Sequence, residues 1–388
     1  MRLLPFDYAV RNLGRSPTRL VLTILASALV VSLVTAAAAF VRGMGKSLVM
    51  TSDQSNVILL ASGSEESIER SQIPGSTGSI VSADLSGIKT KFSVPYVSPE
   101  VHVAIIVRTQ KDSNEELRVL IRGFTPEAFL VHPRVHIVEG RIPRPGRDEV
   151  MVGGLAAQMM GVSDLRLKVG NTIWFDNRNW TIVGRFRARS TVMDAEMWVP
   201  LTDLQVATRR DTLSCVTLTM GEADFGDVDV FTKQRLDLGL TAIQETDYFG
   251  SVMRFYKPVH AMIWTTALLV SLAGLLGGVN TMYAAFAARI REVGTLQALG
   301  YSRLAITWSL IQESVLTAFT GALLGVLLSR VFIDGQAVRF SMGVFQLVID
   351  EQVLLVGLIA GLVMGLIGAI PPAWRCLKLP INEALKAA

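Results

Sequence analysis

Four stretches of the chain carry unbroken runs of apolar and small residues with no formal charge apart from one glutamate: Leu20 to Val41, Val259 to Ala288, Leu304 to Ser329 and Val353 to Ala373. Each reaches the ~20 residues that an α-helix needs to cross a hydrocarbon core. Residues 42–258 return to ordinary globular patterning, with short alternating or β-branched runs between Gly, Pro, Asn and Asp clusters. The pattern predicts four transmembrane helices plus an α+β extracytoplasmic domain inserted between the first and second. The expected order is an amphipathic cytoplasmic segment (1–19), span 20–41, the outer domain (42–258), span 259–288, a charged cytoplasmic segment (289–303) and span 304–329. An outer loop (330–352), span 353–373 and a cytoplasmic tail (374–388) follow.

Within the outer domain, Asn56 to Leu60, Val101 to Thr109, Leu117 to Arg122, Thr172 to Phe175, Trp180 to Phe186 and Cys215 to Met220 are rich in Val, Ile, Thr and aromatics and predict strands. Asp176-Asn-Arg-Asn179 predicts the connection of a hairpin. Leu155 to Met160 and Leu201 to Ala207 predict helices, and the alternation suggests two subdomains. Catalytic patterns are lacking. His132 and His136 have the spacing of a helical metal pair, but Pro133 disfavours helix at His132, so no metal site is assigned. Gly75-Ser-Thr-Gly78 lacks the Lys-Ser/Thr of a phosphate-binding loop, and no Gly-x-Ser-x-Gly elbow occurs.

Half of the residues are hydrophobic and 18% charged, between a soluble enzyme and a fully embedded transporter. Basic residues set the expected orientation: Arg2, Arg11, Arg15, Arg19, Arg289, Arg291, Arg303, Arg375, Lys378 and Lys386 outnumber Arg42, Lys46, Arg254, Lys257, Arg330 and Arg339 on the opposite flanks. Both termini are therefore expected inside. The net charge of +4 gathers near the spans and gives no reason to invoke nucleic acid. The first apolar run exceeds the ~7–15 residues of a signal peptide core and is expected to stay as a helix. The two cysteines, Cys215 and Cys376, fall on opposite sides of the bilayer in this layout, so no disulfide is expected.

Glycines at four-residue spacing, Gly321 and Gly325 in the third span and Gly357, Gly361 and Gly365 in the fourth, predict close helix packing within the chain or across a dimer. Trp264, Trp308 and Trp374 fall near span ends, where indoles anchor at the interface. Glu313, with Gln312 beside it, is the one intramembrane acid; without a chain of partners it suits a helix-to-helix hydrogen bond better than a proton path. So few polar groups cannot line a hydrophilic conduit. The second run would make about 45 Å of helix against a core of about 30 Å, and is expected to continue as a stalk. Between the second and third runs, Arg289-Ile-Arg-Glu-Val-Gly-Thr-Leu-Gln-Ala-Leu-Gly300 must protrude into water, because Glu292 and its arginines are costly in hydrocarbon.

Residues 291–300, followed by Gln312-Glu313-Ser314 and the glycine-bearing third span, resemble the signature after the second span in the MacB/FtsX superfamily of ABC transporter permeases. Arg11-Asn-Leu-Gly-Arg-Ser-Pro-Thr-Arg19 is similar to the family's opening, and Pro372-Ala-Trp-Arg375 with Pro380-Ile-Asn-Glu-Ala-Leu385 to its tail. Glu139-Gly-Arg-Ile-Pro143, Asp148-Glu-Val150, Gly170-Asn-Thr-Ile173 and Ile182-Val-Gly184 resemble its periplasmic core domain. The four-span layout is of the LolC/LolE type. The resemblance implies an inner-membrane permease without catalytic activity of its own, paired with a second permease copy, most simply as a homodimer. Two copies of an ABC ATPase would carry the ATP and Mg, and this chain would bind no cofactor. The absence of a P-loop makes that ATPase a separate protein. The coupling residues would be Arg289, Arg291, Glu292, Gly294, Leu296, Gln297, Ala298, Leu299 and Gly300, with Gln297 where the family commonly has Arg. The machinery would drive export of a small molecule, peptide or lipid-linked substrate, with room for a periplasmic adaptor and an outer-membrane channel. Lipoprotein release, or FtsX-like control of a cell-wall hydrolase, are the alternatives.

Overall fold

In a computed structural model, which describes residues 6–109, 116–340 and 343–377, the chain divides into two compact units. The first comprises residues 1–42, 258–336 and 347–388, and the second residues 43–257 and 337–346.

The first unit is helical. It contains α1 (Phe6–Leu13), most of α2 (Pro17–Thr51), α9 (Lys257–Ala287), α10 (Ile290–Ala298), α11 (Arg303–Phe332) and α12 (Glu351–Leu377). Helices α2, α9, α11 and α12 are long and apolar enough to cross a membrane, so the protein is a multi-pass membrane protein. Each begins or ends with polar residues beyond its charge-free run. Pro17 opens α2 at the one helical position where its missing N–H costs nothing. That helix passes Arg42 and Lys46 before ending at Thr51, so α2 carries on past its apolar run, and α9 runs for 31 residues from Lys257, about 46 Å of helix. The glycines mark close approaches. A Cβ built on Gly325 would lie 2.5 Å from the Ala28 carbonyl oxygen, one on Gly321 would lie 2.6 Å from Ser27 Cβ, and one on Gly357 2.5 Å from Thr35 Oγ1. Gly361 and Gly365 likewise abut Ala322 and Ala318. The spacing thus joins α11 to α2, and α12 to both α2 and α11, inside one chain.

The second unit is α+β. Its elements are β1 (Asn56–Ala61), α3 (Thr77–Asp84), β2 (Thr90–Lys91), β3 (Val94–Pro95), β4 (Val97–Val107), β5 (Leu117–Phe124), α4 (Ala128–Val131), β6 (His136–Gly140), β7 (Glu149–Gly153) and α5 (Ala156–Met160). They continue through β8 (Thr172–Phe175), β9 (Arg178–Arg187), β10 (Met197–Pro200), α6 (Leu201–Thr208), β11 (Cys215–Thr219), α7 (Phe225–Gln234), β12 (Leu240–Gln244) and α8 (Glu245–Phe255). The main sheet runs β12-β1-β11-β4-β5-β10-β7-β9-β6, with β8 paired to β9. Strand β4 changes partner midway: Val97–Glu100 pair with β11, and Val101–Val107 with β5. The two regions suggested by the sequence are therefore two halves of one sheet joined through a single strand. Phe175 stacks on Trp180 with ring centroids 4.5 Å apart across the β8–β9 hairpin. Its loop is two residues, not four, because Phe175 pairs directly with Arg178. Asp176 and Asn177 both take positive φ, as a type I′ turn requires. The segment expected to be an outer loop, 330–352, carries a further hairpin, β13 (Ala337–Phe340) and β14 (Gly343–Gln346), which belongs to the second unit.

Candidate functional site

Helix α10 lies between two long apolar helices, and local rules fix both of its ends. At its C-terminus Gly300 has φ +89°; its N–H donates to the Gln297 carbonyl at 3.0 Å, and the Tyr301 N–H donates to the Leu296 carbonyl at 3.1 Å. These two hydrogen bonds around a left-handed glycine make the Schellman stop. Gly300 therefore shapes the turn, a role separate from the coupling contact that the sequence assigned to it. Ser302 then starts α11, its hydroxyl accepting from the Ala305 N–H at 3.2 Å. One side of α10 packs down: Val293 and Gly294 are buried, and Val293 joins Phe286, Ile306 and Leu310, with Leu296 and Tyr301 at the edge.

The residues that the sequence resemblance nominated for coupling divide accordingly. Arg291, Ala298 and Leu299 are exposed, Leu299 to 69%, while Gln297 and Leu296 are half-buried. Glu292 is also half-buried and pairs with Arg15, so its charge is directed at the N-terminal segment. Arg289 is buried at the N-cap. Its Nη1 donates to Glu313 Oε2 at 2.7 Å and its Nη2 to the Asn12 carbonyl at 3.2 Å. The intramembrane acid thus has a partner that the sequence reading placed on the exposed handle. Gln312 Oε1 is buried and finds no partner among the described residues.

A second polar cluster, which the sequence reading missed, occupies the sheet where β4 changes partner. Register sets Cys215 opposite Glu100, and Arg122 opposite both His102 and Trp198. All five are buried. Glu100 accepts from Arg122 Nη1 at 2.5 Å and Ser98 at 2.8 Å, and lies 2.8 Å from Nε2 of both His102 and His132. Arg122 also donates Nε and Nη2 to Glu196, at 2.7 and 2.8 Å, and Trp198 Nε1 donates to the same carboxylate. Burial works to raise the Glu100 and Glu196 pKa values, but the Arg122 guanidinium overcomes it and holds both below the usual carboxylate range. Burial, aided by Arg122, pushes His102 down. Ligand atoms of Glu100, His102 and Cys215 lie within 4.8 Å of one another. The Arg122 guanidinium already occupies the Glu100 carboxylate, so the cluster is built as an ion-pair network and not as an open ligand set. His132 and His136 are kept apart, the first buried on Glu100 and the second exposed on β6.

Residues 20–228 match the MacB-like periplasmic core domain, and residues 264–381 match the FtsX-like permease C-terminal domain. The chain is 23% identical over 278 residues to the uncharacterized ABC transporter permease YknZ of Bacillus subtilis, covering 68% of this chain and 64% of that one. It is also 23% identical over 329 residues to the macrolide export ATP-binding/permease protein MacB of Bordetella avium, covering 79% of this chain and 48% of that one. The chain thus spans between about half and two thirds of the length of these relatives. Among solved structures, the periplasmic region of MacB from Actinobacillus actinomycetemcomitans is similar at 11% identity and a TM-score of 0.38, covering 51% of this chain and 92% of that one. With the first family match extending over more than half of its residues, the chain belongs to the MacB/FtsX superfamily of ABC transporter permeases.

Proposed function

We propose that this permease works by mechanotransmission, coupling ATP hydrolysis on a separate ABC ATPase to movement of its extracytoplasmic domain. Two permease copies and two ATPase copies form the working unit in the cytoplasmic membrane. ATP and Mg belong to the ATPase. The cargo is a small molecule, a peptide or a lipid-linked substrate, moved without a polar conduit through the four spans. The observation that carries this reading is α10, a short capped helix between two apolar helices, packed along one face and presenting Arg291, Ala298 and Leu299 on the other. A partner that grips this exposed face can push on the helices attached at either end.

The test uses the ABC ATPase that copurifies with the full-length chain from native membranes. Leu299→Asp places a charge on the exposed face without touching the packed one. Leu296→Pro breaks the helix, since an interior proline costs about 3 kcal/mol and removes a hydrogen bond. Both variants should insert normally, and both should lose at least tenfold in copurified ATPase or in ATP-dependent motion of the outer domain. Normal recovery and motion in both variants would make α10 an ordinary connection and remove the mechanical reading.

A further inference from the structure

A single guanidinium ties together three helices of the first unit. Arg289 stands at the N-cap of α10. It donates Nη1 to Glu313, ten residues beyond the start of α11, and Nη2 to the Asn12 carbonyl near the end of α1. Arg289 and Glu313 are 9% and 4% exposed, and Phe286, Val293, Ile306 and Leu310 form an apolar cluster in the same region. We propose that Arg289 and Glu313 are positioning residues that hold α10 in one place on α11, so that displacement of α10 reaches the spans and is not absorbed as slippage. The inference rests on the reading of α10 as the coupling element.

The argument is one of specificity. A buried ion pair contributes little net stability, because desolvation offsets the attraction. Its directionality is another matter, since the guanidinium fork has donors at fixed angles and accepts few alternative placements. The apolar contacts of α10 lack that property. Val293 and Leu296 packed on Ile306 and Leu310 could shift along α11 and bury nearly the same area. A nine-residue helix is too short to hold its own shape unaided, so its position comes from what grips it. The Arg15–Glu292 pair cannot supply that grip, because both side chains are about half exposed and such pairs are weak.

The experiment places spin labels at Thr295→Cys on α10 and Leu323→Cys on α11, both exposed, in the full-length chain with Cys376 replaced by Ser, in phosphatidylethanolamine and phosphatidylglycerol nanodiscs. The unaltered pair should give one narrow distance distribution. Arg289→Met with Glu313→Leu removes both charges together and leaves no unpaired ion to prevent insertion. In this double variant the distribution should at least double in width or split. An unchanged width would overturn the proposal. A second readout separates this inference from the reading beneath it. If the double variant broadens the α10–α11 distribution while Leu299→Asp leaves the ATP-dependent motion of the outer domain intact, the positioning role stands and the coupling assignment to α10 fails.

Discussion

Replacing Arg122 by Met tests what joins the two halves of the outer sheet. The substitution keeps most of the side-chain bulk but removes the cation that bonds Glu196 through two nitrogens and Glu100 through a third. Two buried carboxylates are then left without it. Breaking one buried pair costs about 3–5 kcal/mol, and with two acids stranded the upper part of that range is expected. For a unit of this size, about 2–4 °C of melting temperature accompanies each kcal/mol, so at about 4–5 kcal/mol the transition should fall by roughly 8–20 °C. Replacing Trp264, Trp308 and Trp374 by Phe leaves Trp174, Trp180 and Trp198, all in the second unit, as the fluorescence report of its unfolding. The pH dependence supplies a second check. In the parent chain both carboxyls have depressed pKa values, so their stabilisation is present above the unfolded pKa of about 4.3 and is lost as pH falls through the folded value. In Arg122→Met burial acts with less opposition and raises those values, so the deficit should widen from pH 5 to pH 8. A melting shift below about 3 °C, or a deficit that narrows with rising pH, would refute the view that this network holds the sheet junction.

Gly325→Val should fail at the α2–α11 crossing, because its Cβ would meet the Ala28 carbonyl oxygen, which is backbone and cannot swing away; overpacking of this kind costs about 1–3 kcal/mol or more. Gly277→Val on α9, which meets nothing within 4 Å, is the control, and equal yields of monodisperse protein in detergent would contradict the packing argument. Orientation is checked by cysteine labelling in intact cells. A membrane-impermeant maleimide should modify Asn177→Cys at once and Thr295→Cys only after permeabilisation, and the reverse order would invert the topology.

The parts legible from sequence were those whose cause is local. The apolar runs became helices because hydrocarbon-length segments have few other options, and β8 has the bounds read from its β-branched and aromatic residues. Strand β7 escaped notice because its five residues open on a glutamate and close on a glycine, and β10 because its four residues end in a proline that reads as a turn. The hairpin loop was read as four residues because Asn179 looks like turn chemistry, whereas Asp176 and Asn177 already satisfy the left-handed geometry and leave Asn179 free to pair with Trp174. Glu100 lay unremarked within a sequence that gives it no charged neighbour; its partners arrive from β5, from the end of α4 and from two positions along its own strand.

The same limit explains the division of the segment proposed for coupling. Viewed along the chain, Arg289 and Glu292 look alike, two charges in a hydrophilic insert that water should receive. Which of them faces water depends on where α11 runs, and that is set by the Schellman stop at Gly300 and the Ser302 cap, which turn the chain back so that Glu313 comes level with Arg289. Once the turn is fixed, an acid that would be costly alone in an apolar helix and a base at a helix start resolve each other's desolvation. Charge in a connecting segment therefore carries two kinds of information, contact with a partner and attachment to the spans, and only the fold assigns each residue to one of them.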